Sequence, residues 1–167
     1  AVAITHRRTL KNVDPTRVGL VGISLGVASA IGAAKLLAQQ QEPVSWVLDW
    51  EGPCDRRTIT ANQTRQEPAM GHKSTDESYW RPREAVRHVH AIGCGYVRLQ
   101  ASPDHAQPNE LEHAQAMIQA AAAAGLPWFQ INNHPRSERP TSPKWLPGGP
   151  LKANRALLRT IDELIHP

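Results

Sequence analysis

Val18-Gly19-Leu20-Val21-Gly22-Ile23-Ser24-Leu25-Gly26 decides how this chain folds. An apolar run from Val18 to Ile23 arrives at a serine set between Gly22 and Gly26. A segment rich in small residues, Val27 to Gln40, leaves on the far side. This is G-x-S-x-G in a strand–turn–helix setting. The pattern has a steric cause. A sharp turn forces the serine backbone into a sparsely populated conformation and brings strand and helix together, so that glycine, lacking Cβ, is expected at both flanks. The Ser24 hydroxyl is then left standing at the carboxyl edge of a sheet. The Leu25 amide lies at a helix N-terminus, where it can stabilise an oxyanion. The plainer alternative is a tight turn in which Ser24 caps the helix.

Working outward, Ala1 to Asn12 has the character of the tail of a surface helix, and Asp14-Pro15 marks a turn before the first strand. After Ser24, Val27, Ala30, Ile31, Ala34 and Leu37 recur at helical spacing, with small residues toward the sheet. Val44 to Trp50 is a second apolar strand, closed by Gly52-Pro53. The stretch Cys54 to Pro82 is polar and lacks sustained periodicity. It is expected to be a long surface excursion or small cap, and long loops in compact domains often carry function. Arg83 to Ile92 is spaced for a short helix. Tyr96 to Ala101 is a third strand, leading into Ser102-Pro103-Asp104-His105-Ala106-Gln107-Pro108. Asn109 is placed to cap a helix that runs to Ala124 and stops at Gly125. Pro127 to Ile131 is a fourth strand, followed by Asn132-Asn133-His134-Pro135. Arg136 to Gly149 is polar and proline-rich, hence loop. Lys152 to Ile165 is a final amphipathic helix.

Strands alternating with helices imply right-handed parallel crossovers and an open α/β sheet. In such sheets, sites collect beyond the carboxyl ends of the strands. Three of the four strand ends carry a member of one nucleophile set: Ser24, then Asp104, then His134. In that arrangement Ser24 attacks a carbonyl and neutral His134 takes its proton. Asp104 orients the ring and stabilises the imidazolium. His105, His88 and His90 do not follow a strand end after the acid. Asp49 and Glu51, closing the second strand, form a reserve acid position.

These residues resemble the C-terminal half of an α/β-hydrolase of the esterase, lipase and oligopeptidase type. The stretch from Asp14 to Gly26 resembles that family's approach to its nucleophile elbow. Ser102 to Pro108 resembles its acid loop, and Asn133-His134-Pro135 lies where it places its histidine. The resemblance spans nearly the whole chain and implies a partial α/β-hydrolase fold, an open, mostly parallel sheet with flanking helices, in one domain of residues 1–167. It implies a serine hydrolase cleaving carboxylic esters through a Ser24–Asp104–His134 triad and an acyl-enzyme, with a small-molecule ester as partner. A peptidase of the same fold, or a binding module without catalysis, are the alternatives.

Three departures qualify the resemblance. Val27 stands where the family often has a glycine. The histidine has Asn133 and Pro135 beside it instead of a glycine. The strands that the family carries before the elbow find no room here, and the second oxyanion donor belongs to that part. Loss of one such donor costs roughly a hundredfold or more in turnover. The elbow strand would also become an apolar edge, a liability in solution. A missing N-terminal segment or another subunit is therefore expected to cover it.

Composition excludes several classes. The 167 residues suit one domain with a real core. The formal charge of +4 is spread along the chain without a dense basic block, and aromatics are only 5%. That argues against a nucleic-acid platform. No apolar run reaches the roughly 18 residues of a membrane span. No cofactor or metal is expected: H-x-x-x-H and H-E-x-x-H are absent, and His88-Val89-His90 cannot place both rings on one helical face. Cys54 and Cys94 form no C-x-x-C pair, and buried thiols are at least as good a reading as a disulfide. Localisation stays open, because the chain begins at Ala1 without a methionine and has the look of a processed or truncated product.

Overall fold

A computed structural model describes residues 2–57, 63–103, 110–132, 134, 136, 144–147 and 150–166. Helix α1 is Val2–Arg8. Strand β1, Gly19–Ile23, turns into helix α2, Gly26–Gln39, and strand β2 follows at Trp46–Trp50. Two short helices, α3 (Gln63–Met70) and α4 (Glu77–Trp80), lie within the polar excursion. Strand β3 is Gly95–Leu99, with a two-residue strand β4 at Ala101–Ser102. Helix α5 is Glu110–Ala123, strand β5 Phe129–Ile131, strand β6 Leu146–Pro147, and helix α6 Pro150–Ile165.

The main sheet is parallel throughout, in the order β1-β2-β3-β5. Its core follows from the period-two alternation of strand side chains. Val47 and Tyr96 point to the face covered by α2 and α5, packing with Ile31, Leu37, Met117 and Ala121. Trp46, Leu48, Val97 and Leu99 point to the other face, against Leu157 and Leu164 of α6. Both faces are covered, so the central strands are buried and apolar except for Asp49 and Arg98. All five residues of β3 are buried. No helix of the described residues is long and apolar enough to cross a membrane.

The structure corrects the sequence expectations in places. Arg83 to Ile92 is not one helix but part of three successive 3-10 turns, Arg81–Arg83, Ala85–Arg87 and Val89–Ala91. Glu84 breaks the run with an extended backbone (ψ 109°), because its carboxylate is tied down by arginines. Within the expected loop 136–149, Leu146–Pro147 pairs in parallel with Ala101–Ser102. The edge position of β1 agrees with expectation: Val21 and Ile23 are 40% and 49% exposed.

Gly22 and Gly26 divide. A Cβ on Gly22 would meet the Val27 Cα at 2.6 Å, so glycine is required there. A Cβ on Gly26 would meet nothing within 4 Å. The expectation that both flanks need glycine therefore finds no steric support at Gly26 among the described residues. Val27 also finds its explanation. It is fully buried, and a Cβ on Gly52 would lie 2.2 Å from its Cγ2. The room that Val27 needs is provided by a glycine at the end of the neighbouring strand. Gly52→Ala is therefore expected to destabilise the fold by about 1–3 kcal/mol through overpacking. Val27→Ala in the same chain should recover most of that loss, as read by urea denaturation. If Gly52→Ala leaves the midpoint unchanged, this packing account is wrong.

Candidate active site

Ser24 has φ +51°, a left-handed conformation that costs a residue with a Cβ and persists only where the surroundings impose it. Here the surroundings are explicit. The Ser24 N–H donates to the Trp50 carbonyl at 3.0 Å, and its own carbonyl accepts from the Val27 N–H at 3.1 Å. Gly22 lets the helix close down on the strand. Ser24 does not cap α2: Leu25 holds that position, and no side chain bonds the helix terminus. The Ser24 side chain makes no hydrogen bond among the described residues. Ser24 is half-buried at a helix N-terminus. The Leu25 N–H has no backbone acceptor among the described residues.

His134 follows β5 in a turn closed by its N–H to the Ile131 carbonyl at 3.0 Å, and is half-buried. It stands at the same carboxyl edge as Ser24, but β5 lies three strand spacings from β1, about 14 Å across the sheet. No hydrogen bond joins the two side chains among the described residues. Asp104, with its neighbour His105, lies outside the described residues.

The reserve acid Asp49 is ruled out by its neighbours. It is buried in β2 and uses both carboxylate oxygens internally. Oδ1 accepts from the Gly52 N–H at 2.9 Å. Oδ2 accepts from the Tyr96 hydroxyl at 2.5 Å and from Arg98 Nη1 at 2.7 Å. Arg98, fully buried, also donates to the Gly52 carbonyl and to Gln100 Oε1, while its Nε is unpaired. Burial and the Asp49 charge together push the Tyr96 hydroxyl well above its ordinary pKa, so it stays a donor. No pattern in the sequence announced this network.

A cavity of about 430 Å³ opens beside Leu25. Its apolar wall comes from Leu25, Pro53, Met70, Tyr79, Trp80 and Pro82, several of them from the polar excursion. Arg56, Arg83 and Glu84 stand on its polar side. Arg56 grips Glu77 with two bonds of 2.6 and 2.9 Å and donates to Glu84 at 2.7 Å, tying α4 to the end of β2. Burial works against the Glu84 charge, but Arg56 and Arg87 outweigh it and hold its carboxyl below the usual range. The Tyr79 ring is stacked by His72 at 3.5 Å and covered by the Arg83 guanidinium at 4.0 Å. Asp76 fixes that histidine; the Ser78 hydroxyl, then His72, lower its pKa to about 2. Of the five tryptophans, Trp80 faces this cavity, whereas Trp46 fills the core.

Cys54 and Cys94 are both free and buried, and burial pushes each thiol up to about 12. Cys54 Sγ lies 2.9 Å from His113 Nδ1, and Asp55 completes a group whose ligand atoms fall within 4.8 Å. Arg57 already supplies a positive charge there, donating to Cys54 Sγ and to both Asp55 oxygens.

A parallel sheet ordered in this way, with a serine forced into left-handed geometry where its edge strand meets a helix, is a partial α/β-hydrolase fold. Solved structures of that fold match the chain. A puromycin-hydrolyzing peptidase of Mycobacterium tuberculosis superposes with a TM-score of 0.66 at 19% identity, covering 97% of this chain and 23% of that one. A puromycin hydrolase gives 0.66 at 13% identity over the same shares. An acylaminoacyl peptidase of Pyrococcus horikoshii gives 0.59 at 14%, covering 76% of this chain and 20% of that one. The chain thus spans about a fifth of the length of the structures it matches. No protein-family model and no curated protein matches the sequence.

Proposed function

We propose that the chain carries the nucleophile of a serine hydrolase, and that the cavity beside Leu25 receives the acyl side of the substrate. The observation that carries this is the left-handed backbone of Ser24, with its hydroxyl uncommitted among the described residues. Ser24 Oγ attacks the carbonyl carbon while neutral His134 accepts the hydroxyl proton, and the Leu25 N–H stabilises the oxyanion. His134 then gives that proton to the departing alcohol or amine, leaving an acyl-enzyme. Water, deprotonated by the same ring, releases the acid and restores the serine. Asp104 orients the imidazole throughout.

The sequence led to a carboxylic ester as substrate. A peptide is the second reading, favoured by the neighbours named as peptidases and by an apolar cavity wide enough for a side chain. The deciding experiment treats the protein with a fluorophosphonate and maps the adduct by mass spectrometry. A single adduct on Ser24, lost in His134→Ala, is expected. A folded protein that stays unlabelled is a binding module and ends the hydrolase reading. Nitrophenyl esters and aminoacyl nitroanilides then rank esters against amides.

The same reading includes a cover for β1, whose Val21 and Ile23 are open to solvent. The cover is a segment preceding this one in a longer protein, or a second subunit. Sedimentation of the 18.4 kDa chain alone is expected to show self-association. A strict monomer at high concentration, with rapid amide exchange along β1, counts against any cover.

A further inference from the structure

Three of the four parallel strands end in a non-glycine residue with positive φ: Ser24 (51°), Glu51 (51°) and Asn132 (48°). The first is the proposed nucleophile. The other two serve β3, which runs on past its neighbours. At Glu51 the β2 backbone turns away: its N–H still donates to the Leu99 carbonyl at 3.0 Å, but the next amide, Gly52, goes to Asp49. The Glu51 carboxylate takes the place of the lost strand and accepts the Ala101 N–H at 2.9 Å. On the other side Asn132 does the same for β5. Its N–H donates to the Arg98 carbonyl at 2.9 Å, and its side-chain oxygen accepts the Gln100 N–H at 2.9 Å. Its amide nitrogen donates to the carbonyls of Gln100 at 3.1 Å and Lys144 at 2.8 Å.

Successive amides of an extended chain point to opposite sides. The Gln100 N–H meets Asn132 and the Ala101 N–H meets Glu51, so two side chains continue the ladder where both flanking backbones have left it. Both clamping residues are 2% exposed, and buried hydrogen-bonding groups that keep their partners hold one geometry. The held segment enters Ser102-Pro103-Asp104, and Asn132 stands two residues before His134. We infer that Glu51 and Asn132 are positioning residues that hold the strand ends from which the segments carrying the proposed acid and base depart. This rests on the hydrolase reading above.

Glycine at either position keeps the positive φ and deletes only the clamp. Glu51→Gly and Asn132→Gly should each lower the maximal rate of Ser24 phosphonylation about a hundredfold, the order of loss for misplacement of about 1 Å. Probe affinity should not change, and the pH profile of labelling should move as the base loses its orientation. Glu51→Gln can still accept the Ala101 N–H and should recover most of the rate. Wild-type labelling rates and pH profiles in both glycine variants overturn the inference. So does loss of the fold in both, which would make the clamp a folding element only. Absence of labelling in the unaltered protein defeats the hydrolase reading itself, a separate result.

Discussion

Ser24→Ala is expected to abolish fluorophosphonate labelling and to lower turnover of the best chromogenic substrate by about a million-fold, the loss seen when a triad nucleophile is removed. His134→Ala should cost about as much. The double variant should fall no further, because nucleophile and base act as one unit. Some catalysis over water should survive in all three, supplied by the Leu25 amide and the binding cavity. Measurement of kcat at saturating substrate checks this, since the lost interactions operate in the transition state while the cavity wall of Tyr79, Trp80 and Met70 is untouched. Additive losses would mean that Ser24 and His134 work apart. A His134→Ala enzyme as fast as the original would move the base to another histidine.

The second large effect concerns stability. Asp49→Ala leaves the Arg98 guanidinium buried in β3 with no countercharge, and also strips the Tyr96 hydroxyl and the Gly52 N–H of their acceptor. Removing one partner of a buried ion pair costs about 3–5 kcal/mol. Domains hold together by only about 5–15 kcal/mol, so a large share of the protein should unfold at moderate urea. Asp49→Ala combined with Arg98→Met removes both charges and should recover part of the loss, because the uncompensated charge carries most of the penalty. Equal midpoints for Asp49→Ala and the original protein would show that the pair contributes little. The network lies directly under Gly52 and Trp50, whose carbonyl receives the Ser24 N–H. Activity should therefore decline ahead of global unfolding in the single variant.

Local interactions account for what was legible in advance. The elbow could be seen because its causes lie within a few residues: Gly22 abuts Val27 and Ala30. The alternation of strand and helix was legible because periodicity records which face each segment buries, and Val27, Ala30, Ile31, Ala34 and Leu37 are all buried in α2. Even here the local rule finds no steric support at Gly26, where no described neighbour approaches.

The amino-acid sequence by itself determined the strand–turn–helix at Ser24 and the parallel α/β class, since each is set by short-range sterics or by burial pattern, while the apolar edge on β1 followed from the family resemblance. Tertiary structure alone decided that Asp49 is an internal counterion, that Gly52 makes room for Val27, that Tyr79 and Trp80 of a polar excursion wall a cavity, and that Glu51 and Asn132 hold the end of β3. The physical reason is distance along the chain. The bonds joining Asp49 to Arg98, Glu51 to Ala101 and Asn132 to Gln100 span 49, 50 and 32 residues, and only the register of packed strands brings those partners together.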